Sequence, residues 1–302
     1  MTSFRRALVL AVAAATSLVV VGQSTATFPG LNGQIAFLRA GKVFTMDPDG
    51  QNAVALTTGR RAVDPSVSAD GQQIVYVRTA FHKPQQIIVM NANGTSPTTI
   101  ETGSFLAGPA FNPTSTRIVF MKNLKLKLAH ADGSRVKALP DGHCSGVQHP
   151  SFSPNGKLIM FDCIYGKGLV RIETVHPDGS HLRTLVDQRN LNGCPSFAPN
   201  GKRILYITFR KHNSDRTSIV SQKLSGGAPT KLRTGPGSHQ EFDCPEYSPA
   251  GDQIVVQAGD FSSPEGGYFF NVYTMTADGS NLTALTPDGK SSSPDWGPAV
   301  DK

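Results

Sequence analysis

The chain has 302 residues, 29 Lys and Arg against 22 Asp and Glu, a formal charge of +7 and only 17% charged residues. A nucleic-acid binder concentrates basic charge on one element. Here the densest basic run is the short loop Arg210-Lys211-His212 with Arg216, so nucleic acid is not an expected partner.

Residues 1–26 read as a secretory signal. Arg5 and Arg6 form the positive n-region, Ala7 to Val21 an unbroken apolar or small stretch, and Ser24-Thr25-Ala26 a small-residue cleavage site, with cleavage expected after Ala26. The apolar run is about 15 residues, short of the roughly 20 that a spanning helix needs. No later segment is long and apolar enough to span, so the mature chain is expected to be secreted or periplasmic. Losing two arginines and no acid would leave it at +5. Residues 27–302 are expected to form one domain.

Asn32 to Phe37 resembles a turn followed by a strand, and Asp47-Pro48-Asp49-Gly50 and Leu56-Thr57 supply two more. A phrase then recurs: Pro65-Ser66-Val67, Pro109-Ala110-Phe111, Pro150-Ser151-Phe152, Pro195-Ser196-Phe197, Pro245-Glu246-Tyr247 and Pro294-Asp295-Trp296. The steps between the prolines, 44, 41, 45, 50 and 49 residues, are the period of a radial array of four-stranded units. In the unit opened by Pro65, strand A is predicted over Ser66 to Ser68, B over Ile74 to Arg78, C over Gln86 to Asn91 and D over Thr98 to Ile100. Asp70-Gly71 and Asn93-Gly94 mark the turns, because such pairs tolerate positive φ.

The last copy stops after strand A, while the N-terminus supplies B, C and D without an A. The expected fold is therefore all-β: a six-bladed β-propeller whose ring is closed by the C-terminal strand A joining the N-terminal strands B to D. Closure removes open sheet edges.

The Ser-Pro-Asn/Asp-Gly turns, the Ile-x-Phe/Tyr runs after them and the Asp-Gly-Ser ends, as in Asp278-Gly279-Ser280 to Leu285, resemble the propeller repeat of the TolB-type, WD-repeat-like family. The resemblance covers residues 30 to 300 and only the propeller part of that family, without its additional N-terminal α/β domain. It implies the fold and an exported, periplasmic setting.

The A–B and C–D turns share one face, and the longer B–C and D–A connections share the other. Loop variation on a rigid scaffold is where binding usually sits. The B–C loops are read as Ala40-Gly41, Thr79 to Pro84, Asp162 to Lys167, Phe209 to Thr217 and Ala258 to Phe270. The candidate binding residues at the channel mouth and on these loops are Asp64, His149, Arg210, Lys211, His239, Asp243, Phe261 and Tyr268. For Asp64, His149 and Asp243 the plain alternative is capping a strand end. The strand A aromatics Phe111, Phe152, Phe197, Tyr247 and Trp296 are expected to pack between blades rather than to stack on a ligand.

Four cysteines in an exported chain point to two disulfides. Cys144 and Cys163 fall at adjacent ends of strands A and B of one blade. Cys194 and Cys244 precede equivalent prolines and would staple neighbouring blades. Crossed pairings, such as Cys163 with Cys194, stay open. His82, His143, His149, His212 and His239 share that face, yet no Cys-x-x-Cys or His-x-x-x-His spacing marks a zinc site. No cofactor is predicted, with a divalent metal as the alternative.

No Gly-x-Ser-x-Gly elbow is present, and no catalytic residue is assigned. The expected function is an exported, monomeric, non-catalytic binding module for a protein, peptide or cell-envelope glycan. The alternative is a propeller enzyme, a lyase or lactonase-like hydrolase, with its site at the channel mouth.

Overall fold

The computed structural model describes residues 27–59, 61–79, 81–166, 169–187, 192–209, 217–235, 240–260 and 269–300. These form six four-stranded antiparallel sheets, each ordered A-B-C-D, and among the described residues there is no helix. No described helix is therefore long and apolar enough to cross a membrane.

Blade 1 joins the two ends of the chain, as expected. Its strand A is Ser291–Pro298, and B, C and D are Asn32–Arg39, Lys42–Met46 and Val54–Ala55. The innermost strands of blades 2 to 6 are Ala62–Val67, Leu106–Phe111, Gly146–Phe152, Asn192–Phe197 and Gln240–Tyr247. At the seam, Trp296 Nε1 donates to Gly33 O at 2.9 Å. A Cβ at Gly33 would lie 2.3 Å from Pro298 O, so only glycine allows the two ends to approach this closely.

Each blade boundary carries one apolar cluster. The strand A aromatics, all 6% exposed or less, sit in these clusters as predicted. Phe111 packs with Val75 and Ile87 of blade 2, and Trp296 with Val255 and Val272 of blade 6. Successive strand residues point to opposite faces. A sheet sandwiched between two others therefore needs apolar residues on both, which explains continuous buried runs such as Ile74 to Val77.

Strand boundaries differ from the sequence reading in two places that matter for the site. Strand A begins three to five residues before the repeat proline, at Ala62 rather than Ser66 in blade 2. Asp162 lies inside strand B of blade 4, Ile159–Tyr165, rather than opening the B–C loop. In both places polar residues were read as loop, although they sit within the ladder.

Residues 27 and 28 belong to no blade. The Thr27 hydroxyl is 3.0 Å from Glu246 Oε1 and 3.2 Å from Tyr247 O, on strand A of blade 6. Phe28 is 2% exposed and joins the cluster that holds Ala110 of blade 3 and Phe152 of blade 4. Blades 3 and 6 face each other across a six-membered ring, so this segment spans the axis near the A–B end of the inner strands.

Candidate functional site: the inner ring and the loop-bearing face

The residue before each repeat proline has a left-handed backbone: Asp64 (φ 52°), Gly108 (53°), His149 (48°), Cys194 (54°), Cys244 (46°) and Ser293 (51°). Proline cannot donate a ladder hydrogen bond. At this point every A–B pairing slips, as where Val63 pairs with Val77 but Ser66 with Val75. Such a bulge re-aims the side chain it carries. Left-handed non-glycine residues are costly and persist where their surroundings over-determine them.

The surroundings here are the neighbouring blades. Asp64 Oδ2 accepts the N–H of Gly108 at 3.0 Å, Asp162 Oδ2 that of Cys194 at 2.9 Å, and Gln257 Oε1 that of Ser293 at 2.8 Å. At three boundaries a polar side chain of one blade thus holds the bulged backbone of the next. Asp64 caps no strand end: it lies inside Ala62–Val67, and the N–H it accepts, that of Gly108, lies inside Leu106–Phe111.

His149 is the basic group of this ring. Its Nδ1 lies 2.6 Å from Asp162 Oδ2, with side-chain exposures of 11% and 2%. Burial pulls the imidazole pKa down, but the hydrogen bond to Asp162 and the charges of Asp162, Asp243 and Asp64 together leave it raised. Burial pushes Asp64 up to about 7, against the opposing effects of the Gly108 N–H and of His149. Asp162 and Asp243 are also raised by burial, with His149 acting in the opposite direction. The ring is therefore a low-dielectric acid–base cluster. Asp162 orients the imidazole through Nδ1 and leaves Nε2 as the second ring nitrogen.

Both expected disulfides form, Cys144–Cys163 within blade 4 and Cys194–Cys244 between blades 5 and 6, with Cα separations of 5.2 and 4.8 Å. The bulge at both Cys194 and Cys244 is what lets equivalent positions of adjacent blades turn toward each other. A His149 ring nitrogen and the two sulfurs of this bridge lie within 4.8 Å of one another, as do Cys144, Cys163 and Glu173. With the sulfurs in disulfides the thiolates that would bind zinc are consumed, so these donor sets do not fit a metal in the oxidised protein.

Above the ring lies the loop-bearing face. Phe81 of the blade 2 B–C loop is 79% exposed, Phe105 of the following D–A connection 59%, Phe269 at the start of blade 6 strand C 42%, and Leu169 in blade 4 38%. The Arg61 guanidinium lies 4.8 Å from the Phe81 ring centroid, and that of Arg171 3.9 Å from the Tyr165 ring. Arg171 also reaches Asp187 at 3.0 Å. On the opposite face the strongly exposed apolar residues are the aliphatics Leu31, Val54, Val136 and Val300. Among the described residues, the strongly exposed aromatics thus all belong to the loop-bearing face.

Asp64 and Asp243 lie close enough to His149 for their charges to act on it, and Asp162 joins them. Its signal was a single acid inside the apolar run Ile159-Met160-Phe161-Asp162-Cys163-Ile164. Glu246 and Asp295 were also missed. They occupy the position after the repeat proline, where the other copies carry Ser or Ala, and are 0% and 1% exposed. Arg210, Lys211, His239, Phe261 and Tyr268 lie outside the described residues.

No family model matches the chain. The Tol-Pal system protein TolB of Anaeromyxobacter dehalogenans is 27% identical over 123 residues, 41% of this chain and 25% of that protein. A TolB homolog of Chlorobium luteolum is 29% identical over 168 residues, 53% of this chain and 35% of that protein. The chain thus spans about a quarter to a third of the length of the curated relatives it matches. Among solved structures, TolB from Acinetobacter baumannii superposes with a TM-score of 0.72 at 19% identity, covering 88% of this chain and 67% of that one. An oligogalacturonate lyase in complex with manganese gives 0.59 at 13% identity, covering 87% and 77%. At such identities the solved structures speak for the fold alone.

Proposed function

We propose that this TolB-type propeller is an exported, non-catalytic binding module that holds a protein, peptide or cell-envelope ligand on its loop-bearing face. The observation that carries this reading is the set of solvent-exposed phenylalanines Phe81, Phe105 and Phe269 on one face of a rigid ring. Exposed aromatics on a loop surface offer large contact area at small ordering cost, and Arg61 beside Phe81 adds a hydrogen-bonding rim. The curated relatives named for the Tol-Pal system favour a protein partner, and the two disulfides suit an extracytoplasmic compartment.

The test is selection of peptides from a random library on the purified protein, followed by affinity measurement on the triple variant Phe81→Ala, Phe105→Ala, Phe269→Ala. Truncating three anchors of this kind should weaken binding by about tenfold or more. Unchanged affinity would overturn the reading.

A second reading, catalysis in the channel, draws on the His149–Asp162 pair and on the lyase among the structural neighbours. It requires a stoichiometric divalent ion in the purified protein, or turnover of a glycan that disappears in His149→Ala. Neither is required of a binding module.

A further inference from the structure

The acid pair left over from the inner ring points to a role for the start of the folded chain. Glu246 Oε2 accepts the N–H of Trp296 at 3.1 Å, and Asp295 Oδ2 accepts that of Val67 at 2.7 Å. The same cross-blade bond is thus made at two successive boundaries, 6 to 1 and 1 to 2. Both carboxylates stand on neighbouring inner strands beside the seam where the ring closes.

Two buried carboxylates cannot both ionise cheaply without a counter-charge. Burial raises both pKa values, and Asp295 raises that of Glu246 further. Among the described residues, no ion pair includes either acid, and the groups that act on Asp295 against its burial, the Val67 N–H and the Ser66 hydroxyl, carry no charge. Without a cation beside them the pair is held protonated; with one, both could ionise.

What reaches into it is Thr27, fully buried, with its hydroxyl on Glu246. Its backbone nitrogen is three covalent bonds from that hydroxyl. In the full-length chain this nitrogen is a neutral amide. The small-residue sequence Ser24-Thr25-Ala26 places the expected signal cleavage directly before it, and cleavage there would turn the amide into a primary ammonium with three donors and a unit charge.

We propose that Glu246 and Asp295 form a receptor for the Thr27 α-ammonium, which is created by removal of residues 1–26 and ties the start of the folded chain to the inner strands of blades 6 and 1, beside the seam within blade 1. Signal removal would then do more than release the chain. It would supply the missing charge at the point where the ring closes, so that the exported form is held shut more firmly than its precursor.

The experiment compares the chain beginning at Thr27 with one carrying a short Gly-Ser extension before it, and uses the mature protein recovered from an exporting host. Intact mass should place the mature N-terminus at Thr27. The α-amine should titrate above its ordinary range of about 7.7–8.0. It should also react with an amine-acylating reagent at neutral pH about tenfold more slowly in the folded than in the unfolded protein, since one pKa step is one decade of free amine. The thermal midpoint of the Thr27 chain should exceed that of the extended chain at neutral pH, and Glu246→Gln with Asp295→Asn should abolish the difference. Should those substitutions fail to fold, the pH dependence of acylation in the unsubstituted protein, which reads the α-amine pKa separately from its access to reagent, still decides. Equal reactivity folded and unfolded, equal midpoints with and without the extension, or a mature N-terminus elsewhere would each overturn the proposal.

Discussion

His149 Nδ1 and Asp162 Oδ2 lie 2.6 Å apart, and the same carboxylate oxygen takes the N–H of Cys194 at 2.9 Å from the next blade. One oxygen therefore holds a side chain of blade 4 and the backbone of blade 5. Asp162→Asn keeps an amide oxygen for the backbone N–H but removes the charge. Burial then has less to oppose it, and the His149 pKa should fall below its wild-type value, as read by NMR titration of the imidazole. A raised histidine gives its stability below its ordinary 6.5 and loses it as pH rises through the folded value. The stability gap between wild type and Asp162→Asn should accordingly be larger near about pH 5 than near about pH 9. A gap independent of pH would mean that the pair is neutral throughout.

Asp64 gives a pH dependence with a defined window. Its folded pKa of about 7 exceeds the ordinary 3.8, so its stabilising contribution is complete below the unfolded value and is lost as pH rises from there to about 7. A shift of this size corresponds to about 4 kcal/mol at most. Asp64→Asn retains an oxygen for the Gly108 N–H and never ionises. Denaturant midpoints should fall less steeply between about pH 4 and pH 8 for Asp64→Asn than for wild type, with the variant the more stable at the upper end. Identical slopes would show that Asp64 ionises freely in the folded protein.

The architecture was legible because its signals are local and repeated. Pro-x-aromatic marks an inner strand, Asp-Gly a turn, and the period counts the blades. Ring closure followed from the incomplete blade at each end, a lone strand A at Pro294 to Pro298 and strands B to D without an A from Asn32 onward. The site was less legible. Proline marks a strand boundary in most contexts, so Asp64 and His149 were placed before strand A, whereas the propeller admits proline inside the ladder through a left-handed bulge. Whether a polar residue in an apolar strand, such as Asp162 or Gln257, faces a backbone N–H of the next blade depends on how blades pack, which no single repeat encodes. Thr27 and Phe28 carry no repeat signal, and only the assembled ring shows what they bury against.

The two disulfides should differ in what they contribute. Cys144–Cys163 spans 19 residues and Cys194–Cys244 spans 50, and loop entropy in the unfolded chain gives about 3 and about 4 kcal/mol respectively. The second also ties adjacent blades beside His149 and Asp243. Replacing Cys194 and Cys244 with serine should lower the unfolding midpoint more than the same change at Cys144 and Cys163. The reverse order, in equilibrium unfolding of the two double variants, would show that native packing around Cys144 outweighs chain entropy.

Closure can be tested at Trp296. The residue is 1% exposed, donates through Nε1 to Gly33 O and through its backbone to Glu246, and packs with Ile35, Val255 and Val272. It thus links strand A of blade 1 to the N-terminal strand B on one side and to blade 6 on the other. Trp296→Ala removes a buried aromatic and leaves the Gly33 carbonyl without this donor, for about 3–5 kcal/mol. Trp296→Phe keeps most of the apolar volume and loses chiefly the hydrogen bond, for about 1–3 kcal/mol. Deleting residues 294–302 removes most of strand A and should open the ring, converting one cooperative unfolding transition into a broader one at lower temperature, with faster amide exchange in Ile35 to Leu38. A deletion variant that melts like the full chain, with those amides still protected, would show that blade 1 is stable with three strands and that the C-terminal strand is not what closes the ring.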